Sequence, residues 1–418
     1  MSKIEELIQQ YCPDGVEYKK LGELGVFYGG LSGKTKEDFK DGNAKFISYK
    51  NVFYNLSLNI DTDERVKIEE GEKQHTIQYG DILFTGSSET PDECGMSSVL
   101  TQRTDEKLYL NSFCFGYRLH NLSQFSPDFL KHLFRSNELR KQIGKTASGT
   151  TRFNVSKKRF AEVSIPILPL PVQEEIARIL DNLAELQAEL QAELQKRLQQ
   201  YNYYRDKLLS FSDLSNWGGQ EVSVEWKKLG EICLKVCSGG TPSRGNSDYF
   251  TGDIPWLRTQ EVDWNDIYDT EIKITENAVK NSSAKLIPEN CVIIAMYGAT
   301  AGKVGINKIP LTTNQACCNL QINPQKALYK YVYYWVCNEY EHLKSLGQGS
   351  QNNINAQIIK EYPIPIPPLA EQQRIVDILD RFDTLTNDIT AGLPAEIEAR
   401  RKQYEYYREQ LLTFKKKA

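Results

Sequence analysis

The sequence predicts an α+β protein: two mixed α/β domains separated by two long antiparallel helices, coiled-coil-like, related by a pseudo-two-fold internal repeat. Three observations predict this. The stretch YNYYRDKLLSF at 201–211 returns as YEYYREQLLTF at 404–414, each closing a long helical segment. VEYKKLGEL at 16–24 returns as VEWKKLGEI at 224–232, and IPILPLPVQEEIARILD at 165–181 answers IPIPPLAEQQRIVDILD at 364–380. Between these frame pieces the two halves share an order of elements but little sequence. The implied segments are an N-terminal arm (1–16), a first domain (17–168), a first long helix (169–215), a second domain (216–366) and a second long helix (367–418).

Within the first domain, KFISY (45–49), DILFTG (81–86) and SFCFGYRL (112–119) read as strands bounded by Gly, Asn and Asp turns. SPDFLKHLFRSNELRKQIG (126–144) has helical spacing, with Ser126 as cap and Pro127 in the first turn. The second domain repeats the plan, with strands at 253–259, 291–298 and 314–322 and a helix at 328–346. A polar loop follows each helix, at 148–156 and 347–357.

From Pro171 the first long segment runs some 40 residues without Gly or Pro. As one helix it would be about 60 Å long, too long to pack inside a small domain. Its stripe includes Leu183, Leu186, Leu190, Leu194, Leu198, Tyr201 and Tyr204, and its middle is AELQ written three times over 184–195. Leucines every four residues drift by roughly 40° per step, more than a heptad seam does. The second segment offers Phe382, Leu385, Ile389, Ile397, Tyr404 and Tyr407, with a kink or restart expected at Gly392–Pro394. Antiparallel pairing of these two segments places the domains as a two-fold pair, a geometry suited to a long two-fold ligand such as duplex DNA.

Composition bounds the function. At 418 residues with 40% hydrophobic residues, the chain can bury two cores. MSKIEELIQQY is not a secretory signal, and no run of about 18 apolar residues offers a membrane span. Nine cysteines without CxxC spacing, beside four histidines, read as reduced thiols in a cytoplasmic protein without a metal site. A net charge of -4 excludes a uniformly basic coat but leaves room for basic patches.

Catalytic motifs are nearly absent. GGLSGKT at 29–35 resembles a P-loop, but the pattern needs glycine at position 28, where Tyr28 stands. Glu17-Tyr18-Lys19 and Glu271-Ile272-Lys273 match a nuclease E-x-K by letters alone.

Binding residues are better represented. Between Lys131 and Arg159 nine basic residues face one acid, Glu138, a run that can grip phosphates or can be a solvated helix face. The acids cluster instead at 61–72, expected to face away from nucleic acid. In the first domain the candidates for contact with DNA are Ser87, Lys141, Lys145, Thr146, Ser148, Thr150, Thr151, Arg152 and Asn154. In the second they are Thr241, Ser243, Arg244, Arg258, Lys303, Gln351, Asn352 and Asn353. Ser, Thr, Arg and Asn are the types that contact phosphates and base edges, and Asn or Gln can read adenine bidentately.

The chain resembles the specificity subunit of type I restriction-modification systems over essentially its whole length. The resemblance rests on SGGTPSRG (238–245), DIPWLRT (253–259), GATAGKVGI (298–306), TNQA (313–316), the proline-rich frame piece at 364–380, GLPAEIEARRKQYEYYREQLLTF (392–414) and LFTGSSETPDECGMSSV (83–99). It implies two target-recognition domains, each reading half of a split DNA sequence, and two antiparallel spacer helices. It implies docking of modification subunits, two of them, which hold S-adenosylmethionine and methylate adenine, and of restriction subunits that use ATP and Mg for translocation and cleavage. No cofactor is implied in this chain. Two other readings remain open: a specificity subunit for a fused restriction and methylation polypeptide, and a nucleotide-binding enzyme using 29–35.

Overall fold

A computed structural model describes residues 3–211, 223–347, 353–388 and 390–417. The candidates Gln351, Asn352 and Ile389 lie outside the described residues. The chain divides into two compact units, residues 1–191 with 396–418, and residues 192–395. The long segments reckoned above at 169–215 and 367–418 are thus shared between units, and the first is divided inside the AELQ stretch.

Each unit is built on the same plan. In the first, a four-stranded antiparallel sheet has the order Gly25–Gly29, Cys114–Leu119, Ile82–Thr85, Ser97–Val99. A second sheet has Ala44–Ile47 beside Leu108–Leu110 as a parallel pair. The second unit has Cys233–Ser238, Cys317–Ile322, Val292–Ala295, Val304–Asn307 and Asp266–Ile267 in its main sheet. Its second sheet again holds a parallel pair, Ile254–Leu257 with Thr312–Thr313.

The central strands are apolar on both faces because each face meets a core. Ile82 and Phe84 pack toward the helices while Leu83 packs toward the second sheet. Val292 and Ile294 do the same against Ile293 and Ala295. Side chains alternate across a strand, so a continuous apolar run here feeds two layers. Burying each large apolar side chain contributes about 1.5–3 kcal/mol. Tyr117, Phe84 and Phe160 in the first unit, and Tyr331 in the second, are among the largest side chains so buried.

The repeated frame pieces fold alike. VEYKK and VEWKK supply the strands Glu17–Lys20 and Glu225–Lys228. Each pairs antiparallel with the strand before its long helix, and in the same register: Glu17 opposite Ile167 and Tyr18 opposite Pro166, then Glu225 opposite Ile366 and Trp226 opposite Pro365. A fully buried glutamine then enters each long helix. Gln173 Nε2 donates to the carbonyls of Leu168 (2.6 Å) and Gln124 (2.8 Å), and its Oε1 accepts from the Ser126 N–H (2.9 Å). Gln372 donates to Pro367 O (2.9 Å) and Lys326 O (3.4 Å) and accepts from the Leu328 N–H (2.9 Å).

The first long helix runs unbroken over Leu170–Leu209. The second segment is two helices, Leu369–Asn387 and Leu393–Leu411, so the restart read from Gly392–Pro394 is present. Asp388 leaves the helical region at ψ 113, and its carboxylate accepts from the Thr390 N–H (2.7 Å) and hydroxyl (2.6 Å). Gly392 is required there, because a Cβ would sit 2.4 Å from the Thr384 carbonyl oxygen.

In each unit the start of one long segment meets the end of the other, as antiparallel pairing requires. In the first unit, His132 Nε2 lies 2.7 Å from Asp181 Oδ1 and its Nδ1 2.9 Å from the Tyr404 hydroxyl. Burial lowers the His132 pKa against the opposing pull of Asp181. In the second unit, Tyr204 stacks on Phe382 with ring centroids 5.6 Å apart, and Tyr201 adjoins the same ring. Asp380, the counterpart of Asp181, accepts from Tyr334 (2.7 Å) and pairs with Lys330 (2.5 Å). Leu183, Leu190, Leu194, Leu198 and Ile397 are half-buried. Leu385 and Tyr407 are exposed and do not seal the seam, and neither does Leu186, as the drift of the AELQ repeat around its helix predicts.

The helices expected at 126–144 and 328–346 are each two: Pro127–Leu133 with Asn137–Gly144, and Tyr329–Asn338 with Tyr340–Ser345. In the first unit the interruption turns Arg135 inward.

Replacing Gln173 by Leu leaves two carbonyls and one N–H without a partner in a dry site. Destabilisation by about 2–4 kcal/mol is expected, read as a fall of several degrees in the melting temperature of the full chain. An unchanged melting temperature would show that the clamp contributes nothing.

Candidate nucleic-acid interface

The first unit carries its basic surface on a hairpin, Ala147–Ser148 with Phe153–Val155, whose second strand pairs with Ser87–Ser88. Around it Lys141, Lys145, Ser148, Thr150, Thr151, Arg152 and Asn154 are exposed, as are Lys157, Lys158 and Arg159. Arg152 is braced from below: its Nε donates to Ser87 Oγ (3.1 Å) and its guanidinium lies 5.6 Å over Phe113. Arg159 donates to Ser148 Oγ (3.0 Å). Anchored cations of this kind meet a phosphate without first losing much side-chain freedom.

Other candidates serve the fold instead. Arg135 donates to the carbonyls of Ser97, Val52 and Phe53 at 2.8–3.2 Å, and Arg140 to those of Gly95, Asp92 and Cys94 at 2.5–2.6 Å. Burial brings both guanidinium pKa values down to about 10. Lys131 is paired with Asp128 and Asp181. Thr146 is buried with its hydroxyl on Ile143 O (2.7 Å), and Ser87 is buried beneath Arg152. The basic run is therefore an outer face, Lys141 to Arg159, over an inner set of arginines that hold loops by their carbonyls.

In the second unit Ser243 and Arg244 are exposed on the loop after Gly240. Thr241 is hydrogen-bonded to Gln315, and Asn353 is half-buried. Arg258 is matched by Glu261 (3.3 Å) and by Glu271, and Lys303 by Asp263 (2.6 Å). The charge of those two is met within the unit, which makes them scaffolding for neighbouring groups.

The near P-loop is excluded by its partners. Lys34 is buried in an ion pair with Glu72 (2.6 Å), and that bond with those from Gln74 and the Glu69 N–H holds the Glu72 carboxyl down at about 2. No α-helix follows the loop to aim N–H groups at a phosphate; a three-residue 3-10 turn, Glu37–Phe39, stands there. Among the described residues no group of three or more His, Cys, Asp or Glu could hold a metal ion, and no helix is long and apolar enough to cross a membrane.

Sequence reasoning missed an aromatic cleft of about 590 Å³ beside the hairpin. Tyr49, Phe53, Tyr54 and Phe113 line it with Lys50, Glu89, Thr151 and Arg152. Tyr54 and Phe113 are 74% and 59% exposed. Large apolar letters next to strands read as core, so nothing local marks these as surface residues. Donors, acceptors and apolar walls together are what base-edge readout needs.

Comparison with known proteins agrees with this arrangement. The profile of the type I restriction modification DNA specificity domain matches twice, at residues 13–200 and 221–399. A type I restriction enzyme specificity subunit of Escherichia coli is 44% identical over 60% of this chain, and the match spans 61% of that relative's length, less than two thirds. A putative type I specificity subunit of Haemophilus influenzae is 35% identical over 64% of this chain and 68% of its own. Among solved structures, the S subunit of a type I restriction-modification system from M. genitalium superposes with a TM-score of 0.57 at 15% identity, covering 95% of this chain and 96% of that one. A chain from a structure described as showing complex assembly and conformational transition of the type I R-M system reaches a TM-score of 0.61 at 17% identity, covering 96% and 98%. At these identities the likeness is one of fold. Because the family profile covers both units, the chain belongs to the type I restriction-modification DNA specificity family, with two such domains in one polypeptide.

Proposed function

We propose that this chain is the non-catalytic DNA-reading subunit of a type I restriction-modification assembly, with each unit binding one half of a bipartite duplex target. The observation that carries the reading is the contrast between frame and surface. Strand register and the buried glutamine are the same in both units, whereas the exposed residues that could meet a ligand differ. Identical supports with unlike surfaces suit two different half-sites held at a set separation. The family match and the absence of a working P-loop support the same reading.

The frame also presents repeated exposed tyrosines, Tyr203 and Tyr204 on one helix and Tyr406 and Tyr407 on the other. Identical patches of this kind suit two copies of one partner, the modification subunits that methylate adenine. S-adenosylmethionine, ATP and Mg then belong to the partner subunits, and the assembly works in the cytoplasm. A specificity subunit serving a fused restriction and methylation polypeptide predicts a different co-purifying partner: one large chain in place of separate modification and restriction subunits.

Arg152→Ala is expected to weaken duplex binding and to lower the slope of log affinity against log salt by about one unit. Titration at several salt concentrations checks this, and an unaltered slope removes Arg152 from the phosphate contacts. Inserting one further AELQ tetrapeptide lengthens the helix by about 6 Å, close to two base pairs at about 3.4 Å each. Sequencing of methylated sites should then show the same half-sites with a wider gap; a changed half-site with the old gap would refute the spacer role.

A further inference from the structure

Tyr54 and Trp264 occupy the same place in the two units, although no sequence repeat marks them. Each follows the strand that enters the parallel pair of the second sheet. The segments 45–55 and 255–265 align without a gap, and buried residues anchor the register: Phe46 with Trp256, Ile47 with Leu257, Val52 with Val262. The tenth residue of each segment is a large aromatic at the surface, Tyr54 at 74% and Trp264 at 42% exposed.

Both segments are docked on the same neighbour, the loop between the third and fourth strands of the main sheet. Tyr49 donates its hydroxyl to Ser87 O (2.9 Å), and Thr300 donates its hydroxyl to the carbonyl of Thr259, the counterpart of Tyr49 (2.8 Å). Each aromatic is accompanied by a positioned cation. Lys303 lies 4.4 Å over the Trp264 ring, and Arg152 shares the cleft with Tyr54. Trp264 adopts φ +51, a conformation that a bulky side chain rarely takes and that persists where surrounding structure holds it for a purpose. Among the described residues neither the Tyr54 hydroxyl nor the Trp264 indole N–H has a hydrogen-bond partner. Tyr54 thus offers an open ring and an unused donor to whatever binds, and Trp264 offers its own unused donor with the part of its ring that Lys303 and Tyr340 leave uncovered.

Resting on the two-half-site reading above, we propose that Tyr54 and Trp264 are a matched pair of DNA-contacting side chains, each pressing on the base edges of its own half-site. Their neighbourhoods decide for DNA over a protein partner. Lys50 and Phe53 stand where the second unit has Gln260 and Asp263, so the two surfaces are unlike and cannot dock two copies of one protein equally. The tyrosine pairs on the long helices, by contrast, are identical.

The test uses the full chain assembled with its methylation subunits and a pool of random-sequence duplexes, with bound molecules sequenced. Tyr54→Ala should relax base preference at one or more positions of one half-site by about tenfold, leaving the other half-site unchanged; Trp264→Ala should do the reverse. Tyr54→Phe and Trp264→Phe should retain most of the preference and show that the variants fold. Unchanged preference at both half-sites overturns the proposal, as does a uniform loss of affinity at all sequences or a loss of the methylation subunits on co-purification. If the unaltered assembly selects no bipartite sequence, the functional reading fails and this proposal with it. If it does select one and the variants are neutral, only the aromatic pair fails.

Discussion

Each domain depends on one buried amide. Gln173 and Gln372 sit at the point where an extended strand stops and a long helix begins, and each closes three backbone groups that neither element can satisfy. The amide suits this because it donates and accepts from one rigid plane without carrying a charge into a dry site. By joining the start of the helix to the N-terminus of a domain helix, it fixes the angle at which the long helix leaves. The aspartates eight residues later, Asp181 and Asp380, then tie the same helices to the domain helix packed beside them, through His132 in one unit and Tyr334 in the other.

How much of this was legible in the sequence differs by element. The frame was legible because it is written twice, and a repeat separates structural requirement from chance. The strands at 81–86, 112–119 and 291–298 were legible as apolar runs between turns. The break inside 126–144 was not, because it depends on Arg135 finding carbonyls at Val52, Phe53 and Ser97, some 40 to 80 residues away in sequence. The same long-range partners explain why the basic run was read too generously. Arg135, Arg140 and Lys145 are alike in composition, yet two hold loops and one faces water.

The aromatic cleft shows the opposite limit. Tyr49–Tyr54 is a short helix capped by Ser48, on which Val52 is buried while Tyr54 is open. Tyr49 at its start is docked on Ser87, and the turn of the helix leaves its last ring facing outward. Arg258 and Lys303 were picked for their charge, but carboxylates on the same surface neutralise them. Lys303 instead braces the ring of Trp264.

The shared register of the strand pairs at 17–20 with 164–167 and 225–228 with 363–366 has an evolutionary consequence. Everything between the paired strands is bounded by the same geometry in both halves, so a domain behaves as a cassette. A crossover within the similar frame sequences would exchange one cassette for another without disturbing the paired strands or the buried glutamines. Unlike surfaces are then combined by moving whole domains, and point mutation need only adjust them.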